Sequence, residues 1–192
     1  MGRMPQPETT TLPEKLPTIT RPPVVLRPFR ETDAPLVQAV ADDPLTPQIT
    51  SVPTSARADD GLAYIARQHR RLPEGAGYSF AVADAASDEA VGQIGLWLAN
   101  LAHGRASIGY WAGPAHRRRG YVTHALAAVS GWGLSLGPIH RLELYVEPWN
   151  EGSWRAAERV GYRREGLLRS WQEVGGVRRD MFVYGLLRGD LG

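Results

Sequence analysis

The segment from residue 105 to residue 124 constrains the fold most, because it places a strand, a stop, three arginines and a helix start in succession. Aromatic and β-branched side chains in 107–112 favour a strand, and Gly109 within it indicates a bulge or the close approach of another group. Gly113 and Pro114 then end the strand. Apolar side chains next recur at helical spacing, at Val122, Leu126, Val129 and Trp132 or Gly133. Residues 117–120 therefore lie at the start of a helix.

This helix start has three features of an anion site. Its first backbone N–H groups lack partners inside the helix, Gly120 permits close approach of a ligand, and Arg117, Arg118 and Arg119 supply positive charge. A phosphate ester fits this combination best, which indicates a cofactor that carries phosphate. The arginines also suit nucleic-acid phosphate, but nucleic-acid binders generally use a wider basic face.

Composition narrows the class of protein. With 192 residues, 43% of them hydrophobic, the chain is expected to form one globular domain. It has no apolar run of membrane-spanning length and no apolar signal-peptide region, so we expect a cytoplasmic protein without a membrane partner. The absence of cysteine excludes disulfides and thiolate chemistry, and the scattered histidines predict no metal site. The formal net charge of +2 is too small to argue for a nucleic-acid partner.

Patterning divides the chain into a tail and a mixed α/β domain. Residues 1–23 are rich in Pro, Thr and Glu, which predicts a flexible tail before a single domain of residues 24–192. Besides 107–112, strands are expected at 24–26, 78–83, 90–97, 141–147, 166–173 and 177–187. Helices are expected to begin near Asp33, Asp59 or Asp60, residue 122, and Asn150 or Ser153. This order predicts a mixed α/β fold with a largely antiparallel sheet.

Three segments carry more detailed expectations. Residues 42–55 are predicted to be irregular and are a candidate lining for an acceptor pocket. The helix after residue 60 is expected to bury one stripe, formed by Leu62, Ile65, His69 and Leu72. Strand 141–147 alternates, and its polar side is formed by Arg141, Glu143, Tyr145 and Glu147.

Several short motifs follow one another in a recognisable order. Residues 117–122 read RRRGYV, residues 150–153 read NEGS, and GY at 161–162 precedes EG at 165–166. With Ile108–Trp111, Leu26–Pro28 and Asp33–Ala34, these motifs resemble the GNAT N-acetyltransferases of the RimJ/RimL-like branch over about residues 24–187. The pyrophosphate loop of that family reads Gln/Arg-x-x-Gly-x-Gly/Ala, and Val122 replaces its closing small residue here.

The resemblance implies the GNAT acyl-CoA N-acyltransferase fold, with acetyl-CoA where the fourth and fifth strands separate, here 107–112 and 141–147. Free N–H groups near Trp111 and Gly113 would bind the pantetheine and polarise the thioester. The implied cofactor contacts are Trp111, Gly113, Arg117, Arg118, Arg119, Gly120, Tyr121, Val122, Thr123, Asn150 and Ser153. The acceptor, a protein N-terminus, amino acid, peptide or amine antibiotic, would attack directly. Homodimer formation is left open.

The same resemblance implies the catalytic residues. Ser153 lies where the family places a serine beside the cofactor sulfur, although it also suits a helix start. Glu173 lies near the position of a glutamate base in some relatives, with Gln172 beside it. Glu143, Glu147 and water are the alternative bases. Tyr162 is interpreted as a packing residue, and candidate walls for the acceptor pocket are Trp97, Tyr110, Trp149 and Trp171.

Two other functions remain open at this point. Because Val122 replaces the small residue of the phosphate loop, it slightly favours a non-catalytic module that senses acyl-CoA. The arginine content favours, to a lesser degree, an RNA-associated factor.

Overall fold

An eight-stranded sheet with helices on both faces organises residues 11–190, which are the residues described by the computed structural model. The strands are β1 Ile19–Arg21, β2 Val24–Arg27, β3 Gly77–Asp84, β4 Ala90–Trp97, β5 Arg105–Ala112, β6 Arg141–Val146, β7 Arg163–Val174 and β8 Val177–Leu187. The helices are α1 Ala34–Ala41, α2 Thr46–Ile49, α3 Ala58–Arg70, α4 Tyr121–Ser135 and α5 Glu151–Val160. No helix within this range is long and apolar enough to cross a membrane.

The strand order is β1-β2-β3-β4-β5-β6-β8-β7, and β5 and β6 are the one parallel pair within the described sheet. The predicted mixed α/β class with a largely antiparallel sheet is confirmed. The strands predicted as fourth and fifth are β5 and β6, because no pattern in the sequence indicated β1.

The end of the predicted tail is part of the fold, which corrects that prediction for residues 11–23. β1 pairs antiparallel with β2, with Ile19 opposite Leu26. Leu12 and Leu16 pack against the main core, and the Tyr78 hydroxyl donates a hydrogen bond to the Pro13 carbonyl at 2.8 Å. The apolar residues between the prolines thus bind the edge of the sheet although they follow no regular period. Residues 1–10 of the predicted tail lie outside the described residues.

The two faces of the sheet bury separate apolar clusters. Alternation along β5 sends Ile108 into the larger cluster under α4 and α5, and Trp111 into the smaller cluster under α1 and α3. The Trp111 indole is buried and donates a hydrogen bond to the Tyr64 hydroxyl at 3.1 Å. The alternation therefore also fixes which side chains of β5 and β6 face each side of the sheet.

The helix after residue 57 differs from its prediction in three ways. It begins at Ala58 with Arg57 at the N-cap, so Asp59 and Asp60 lie in the first turn and neither caps the helix. Leu62 was expected on the buried stripe but is 42% exposed, because Gly61 faces α1 in its place. The helix ends before Leu72.

Other local expectations were met in part. His69 has a structural contact, since its ring Nε2–H donates to the Phe29 carbonyl at 2.9 Å. Residues 42–55, predicted to be irregular, include the short helix α2.

Asp33 is the N-cap residue of α1, so the helix start predicted there is confirmed, but its carboxylate forms a buried ion pair. Its two oxygens accept from Nη1 and Nη2 of Arg27 at 2.8 and 3.0 Å, and both side chains are about 95% buried. Its Oδ2 also accepts from the Arg30 backbone N–H at 2.8 Å. The carboxylate thereby holds α1 against β2 instead of capping α1.

Replacing Asp33 by Ala is expected to lower the free energy of unfolding by about 3 kcal/mol, because the Arg27 charge loses its buried partner. We expect the lower end of the usual range, since Asp88 still accepts from Arg27 Nε at 2.8 Å. Denaturant unfolding followed by circular dichroism measures the change. The exposed Asp42 is the control, and Asp42→Ala should cost less than about 0.5 kcal/mol. Equal losses in the two variants would contradict this account.

Candidate functional site

β5 and β6 separate after a short paired stretch, and this opening is the centre of the candidate site. Their register ends at Ser107↔Glu143, while β5 stays paired with β4 and β6 with β8 along their lengths. In the described sheet, the facing edges of residues 108–112 and 144–146 therefore carry backbone groups that no strand satisfies. Such edges accept an extended ligand that adds as a strand.

The backbone groups that line this opening differ from those expected. The Gly113 N–H donates to the Val91 carbonyl at 2.9 Å, so the free N–H groups expected near Trp111 and Gly113 do not include that of Gly113 itself. Along an antiparallel pair the bonded residues alternate, which places Trp111 in the same set as Gly113, facing β4. The backbone groups of Tyr110 and Ala112 therefore face the opening.

Gly109 marks a close approach, one of its two predicted meanings. The β4–β5 register continues through Gly95↔Gly109 without a bulge. A Cβ atom built on Gly109 would lie 3.0 Å from Nε1 of Trp97, so the indole ring lies directly over this backbone. Trp97 is thereby placed on the sheet beside the opening.

The start of α4 lies at the end of β5 and presents free donors. Gly120 is the N-cap residue with φ +83°, a left-handed conformation that favours glycine, and no side chain caps the helix. The first backbone bond runs from His124 N–H to the Gly120 carbonyl at 3.2 Å. The N–H groups of Tyr121, Val122 and Thr123 therefore have no partner inside the helix. The predicted helix start is confirmed.

The three arginines divide into one internal contact and two exposed groups. Arg117 lies 2.7 Å from Asp43 Oδ2 and donates to the Thr46 hydroxyl at 3.2 Å. Burial raises the pKa of Asp43, but hydrogen bonds from Thr46 and Arg117 outweigh it and hold that pKa below its usual value. Arg117 thus ties the loop to the α1–α2 segment, while Arg118 and Arg119 are exposed beside the free N–H groups.

Tyr121 anchors the first turn of α4 to the β3–β4 turn. Its hydroxyl donates to Asp84 Oδ2 at 2.7 Å. That hydrogen bond is the main cause that lowers the pKa of Asp84 to about 2. The Tyr121 side chain is therefore turned to Asp84, which leaves its backbone N–H for a ligand.

Asn150 and Ser153 lie at the start of α5, as predicted. The Asn150 side chain caps the helix by accepting from the Ser153 N–H at 3.2 Å. The Ser153 hydroxyl lies 2.9 Å from the Tyr110 hydroxyl, on the α4–α5 side of the opening. Burial raises the pKa of Tyr110 to about 12, and the hydrogen bond with Ser153 opposes that rise. Tyr110 was expected only as a pocket wall. It is two residues from Ile108 and therefore on the same face of β5, which is the sequence signal that could have indicated this contact.

Tyr162 occupies the larger core, in agreement with its interpretation as a packing residue. It is 3% exposed, and its hydroxyl lies 2.8 Å from the Ser130 hydroxyl. Burial raises the pKa of Tyr162 above its usual value, so the group stays protonated at neutral pH.

Of the candidate bases, Glu143 has its negative charge stabilised by neighbouring hydrogen-bond donors. It accepts from Arg141 at 2.8 Å, from the Tyr145 hydroxyl at 2.9 Å and from Arg105 at 3.2 Å. Burial raises the pKa of Glu143, but these hydrogen bonds outweigh the effect and keep it below its usual value. Glu143 therefore stays ionised at neutral pH and is a weak proton acceptor.

The other two carboxylates lie in contrasting surroundings. Glu147 follows β6 and is only 7% exposed. Glu173 is exposed and lies opposite Arg178, next to the turn that joins β7 and β8. Glu147 is thus enclosed by protein, whereas Glu173 is a solvated carboxylate on the hairpin.

Comparison with known proteins identifies the family. The family described as the acetyltransferase (GNAT) domain matches residues 24–163. The chain belongs to the GNAT family. The chain has the GNAT fold and is an acyltransferase enzyme, and the resemblance to the RimJ/RimL-like branch is confirmed.

Individual relatives agree with this assignment. The probable N-acetyltransferase YjcK of Bacillus subtilis is 32% identical over 141 residues, covering 70% of this chain and 78% of YjcK. The uncharacterised N-acetyltransferase p20 of Bacillus licheniformis is 30% identical over 115 residues, covering 60% of this chain, and the match spans 65% of its own length. Mycobacterium smegmatis RimJ in complex with CoA-disulfide is 27% identical with a TM-score of 0.78, covering 94% of this chain and 92% of RimJ.

Proposed function

We propose that this GNAT acyltransferase is an acetyl-CoA-dependent N-acetyltransferase that acts by direct attack of a primary amine on the thioester. The observation that carries the proposal is the position of the uncapped start of α4 at the end of β5, where β5 and β6 separate. One linear ligand with a phosphate part and a peptide-like part satisfies both features. Acyl-CoA has these two parts in that order.

The residues present fit such a cofactor. The N–H groups of Tyr121, Val122 and Thr123 would bind the pyrophosphate, with charge from the exposed Arg118 and Arg119. Val122 lies in the first turn of α4 with its side chain half-buried. It is larger than the small residue usual in the family, but its backbone N–H still has no partner inside the helix. This assignment favours the cofactor reading of the arginines over the RNA reading.

The opening between the strands would hold the pantetheine. Backbone groups of Tyr110 and Ala112 face it, and an N–H on this edge would stabilise the charge that develops on the thioester oxygen. When bound, acetyl-CoA supplies an acetyl group already activated for transfer. The chain needs no nucleophile of its own for that transfer.

Ser153 is assigned to the leaving thiolate. Its hydroxyl lies on the opening side of α5 and is hydrogen-bonded to Tyr110, whose pKa of about 12 keeps its proton in place at neutral pH. Ser153 would give a proton or a hydrogen bond to the sulfur, and Tyr110 would orient that hydroxyl. Asn150 would fix the turn that carries Ser153.

Thiol release tests the enzymatic part of the proposal. The chain has no cysteine, so the protein itself contributes nothing to the thiol signal. We expect at least one class among N-terminal peptides, amino acids, polyamines and aminoglycosides to accelerate release well above hydrolysis. If acetyl-CoA binds and none of these amines accelerates release, the non-catalytic sensor describes the chain better.

A further inference from the structure

The face of β6 opposite the larger core is lined by side chains of β5, β7 and β8, since Arg105 contacts Glu143, Trp171 stacks on Tyr145 and Arg179 lies near Glu147. Leu142, Leu144 and Val146 point into the larger core, so Glu143 and Tyr145 lie on the other face, and Glu147 continues this alternation. This face adjoins the opening between β5 and β6, on the side away from Ser153. A second substrate can approach the opening from this side without crossing α4 or α5.

Glu147 is the carboxylate on this face that keeps a free oxygen. Its Oε2 accepts from the Trp149 indole N–H at 2.6 Å and lies 3.9 Å from Arg179 Nε. Among the described residues no hydrogen bond reaches Oε1, and that atom is not one of the fully buried atoms without a partner, so it keeps some accessible surface. Both oxygens of the neighbouring Glu143 already accept hydrogen bonds, from Arg105, Arg141 and Tyr145.

Exposed aromatic rings surround this carboxylate. Trp149 is 54% exposed and Trp171 is 49% exposed, far more than usual for such large apolar side chains. Trp171 stacks on Tyr145 with ring centroids 5.6 Å apart and an angle of 19°. Indole faces attract cations, so the rings and the carboxylate favour the same kind of ligand.

The β7–β8 hairpin reaches across this face and limits its size. A Cβ atom built on Gly175 at its turn would lie 2.5 Å from Oε1 of Gln48, so the turn contacts α2. Val174, beside the turn, is 4% exposed. The hairpin arm with Trp171 and Arg179 thus closes the face on its far side.

We propose that Glu147 and the Trp149 indole form the acceptor subsite, which takes a primary amine as its ammonium ion with an aromatic or apolar group beside it. This inference rests on the proposed acetyltransferase function and names its substrate class. A free aromatic amine and a peptide with an aromatic N-terminal residue share this chemistry. The charge of Glu147 disfavours an acceptor with a carboxylate in place of the ammonium, although Arg179 lies 3.9 Å from Glu147 Oε2.

The proton balance assigns Glu147 a second role. The bound ammonium passes one proton to Glu147, and the nitrogen lone pair then forms the N–C bond to the acetyl carbon while the C–S pair leaves with sulfur. The nitrogen loses a second proton to solvent as the amide forms, and the thiolate gains a proton from the Ser153 hydroxyl, which takes one back from solvent. Glu147 releases its proton to water.

Calorimetric titration of the full chain in the presence of saturating CoA tests this subsite. The probes are 2-phenylethylamine, Phe-Ala-Ala amide and, as the anionic match, 3-phenylpropanoate. We expect saturable binding of an amine probe, a loss of at least tenfold in Glu147→Gln, and no change in Glu74→Gln, which removes an exposed carboxylate in the segment between α3 and β3. The tighter of the two amine probes identifies the source of the ammonium.

A second variant keeps the test independent of folding at Glu147. Trp149→Ala changes an exposed side chain and should weaken the amine about fivefold. The affinity for CoA, measured first on every variant, should stay within twofold, which separates a failure here from a failure of the cofactor assignment. Unchanged amine affinity in Glu147→Gln and Trp149→Ala, equal binding of 3-phenylpropanoate, or no saturable amine binding to wild type would overturn the proposal.

Discussion

Ser153→Ala is expected to lower kcat for acetyl transfer by about 100-fold, because positioned proton donors typically contribute factors of this size. The Kd for acetyl-CoA should change less than about threefold, since the hydroxyl acts on charge that develops only as the C–S bond breaks. Thiol release under saturating amine and acetyl-CoA measures kcat, and calorimetry measures Kd.

Two further variants distinguish catalysis from helix capping. Tyr110→Phe removes only the hydroxyl that lies 2.9 Å from Ser153 and should lower kcat by a smaller factor. Ser135→Ala, at the exposed end of α4, should leave kcat unchanged. If Ser153→Ala turns over like the wild type, Ser153 serves only the first turn of α5 and the assignment is wrong.

Gly120→Val is expected to weaken acetyl-CoA binding by about 100-fold, equal to the loss of about two charge-assisted hydrogen bonds at ~1.5 kcal/mol each. At φ +83° a β-branched residue is strained, and relief of that strain turns the N–H groups of the first turn away from the ligand. A Cβ atom there meets only His124, at 3.7 Å, so the fold itself has room for the change. Calorimetry measures the affinity.

The control lies on the same helix. Gly131 is exposed in α4 with open space around it, so Gly131→Val tests a β-branched substitution without touching the helix start. It should bind acetyl-CoA with the affinity of wild type, and circular dichroism should show that both variants are folded. Unchanged affinity in Gly120→Val would remove the argument for a pyrophosphate site at α4.

The features that the sequence predicted are those set by local chemistry. Strand composition and turn signals predicted most of β3, β4, β5 and β8, alternation predicted β6, and Gly120 marked the start of α4. Asn150 and Ser153 were placed correctly at a helix start, because short polar side chains commonly cap the free N–H groups of a helix. The opening at β5 and β6 was implied by the family resemblance.

The features that the sequence missed depend on residues distant along the chain. Arg117 forms an ion pair with Asp43, and Asp33 forms one with Arg27, and no local sequence pattern specifies either partner. Glu143 and Glu147 were placed on a polar face, yet the fold buries both of them. Glu173 remains a prediction, and Glu173→Gln tested beside Glu147→Gln decides which carboxylate serves the amine.

The central claim is that the start of α4 and the adjoining strand opening together bind one acyl-CoA. Calorimetric titration of the full chain with acetyl-CoA and with S-acetyl-pantetheine tests this directly, because the second compound lacks the nucleotide and its pyrophosphate. The account predicts that acetyl-CoA binds at least 100-fold more tightly, a difference of about 2.7 kcal/mol. Equal affinities, or no binding of acetyl-CoA, would contradict it.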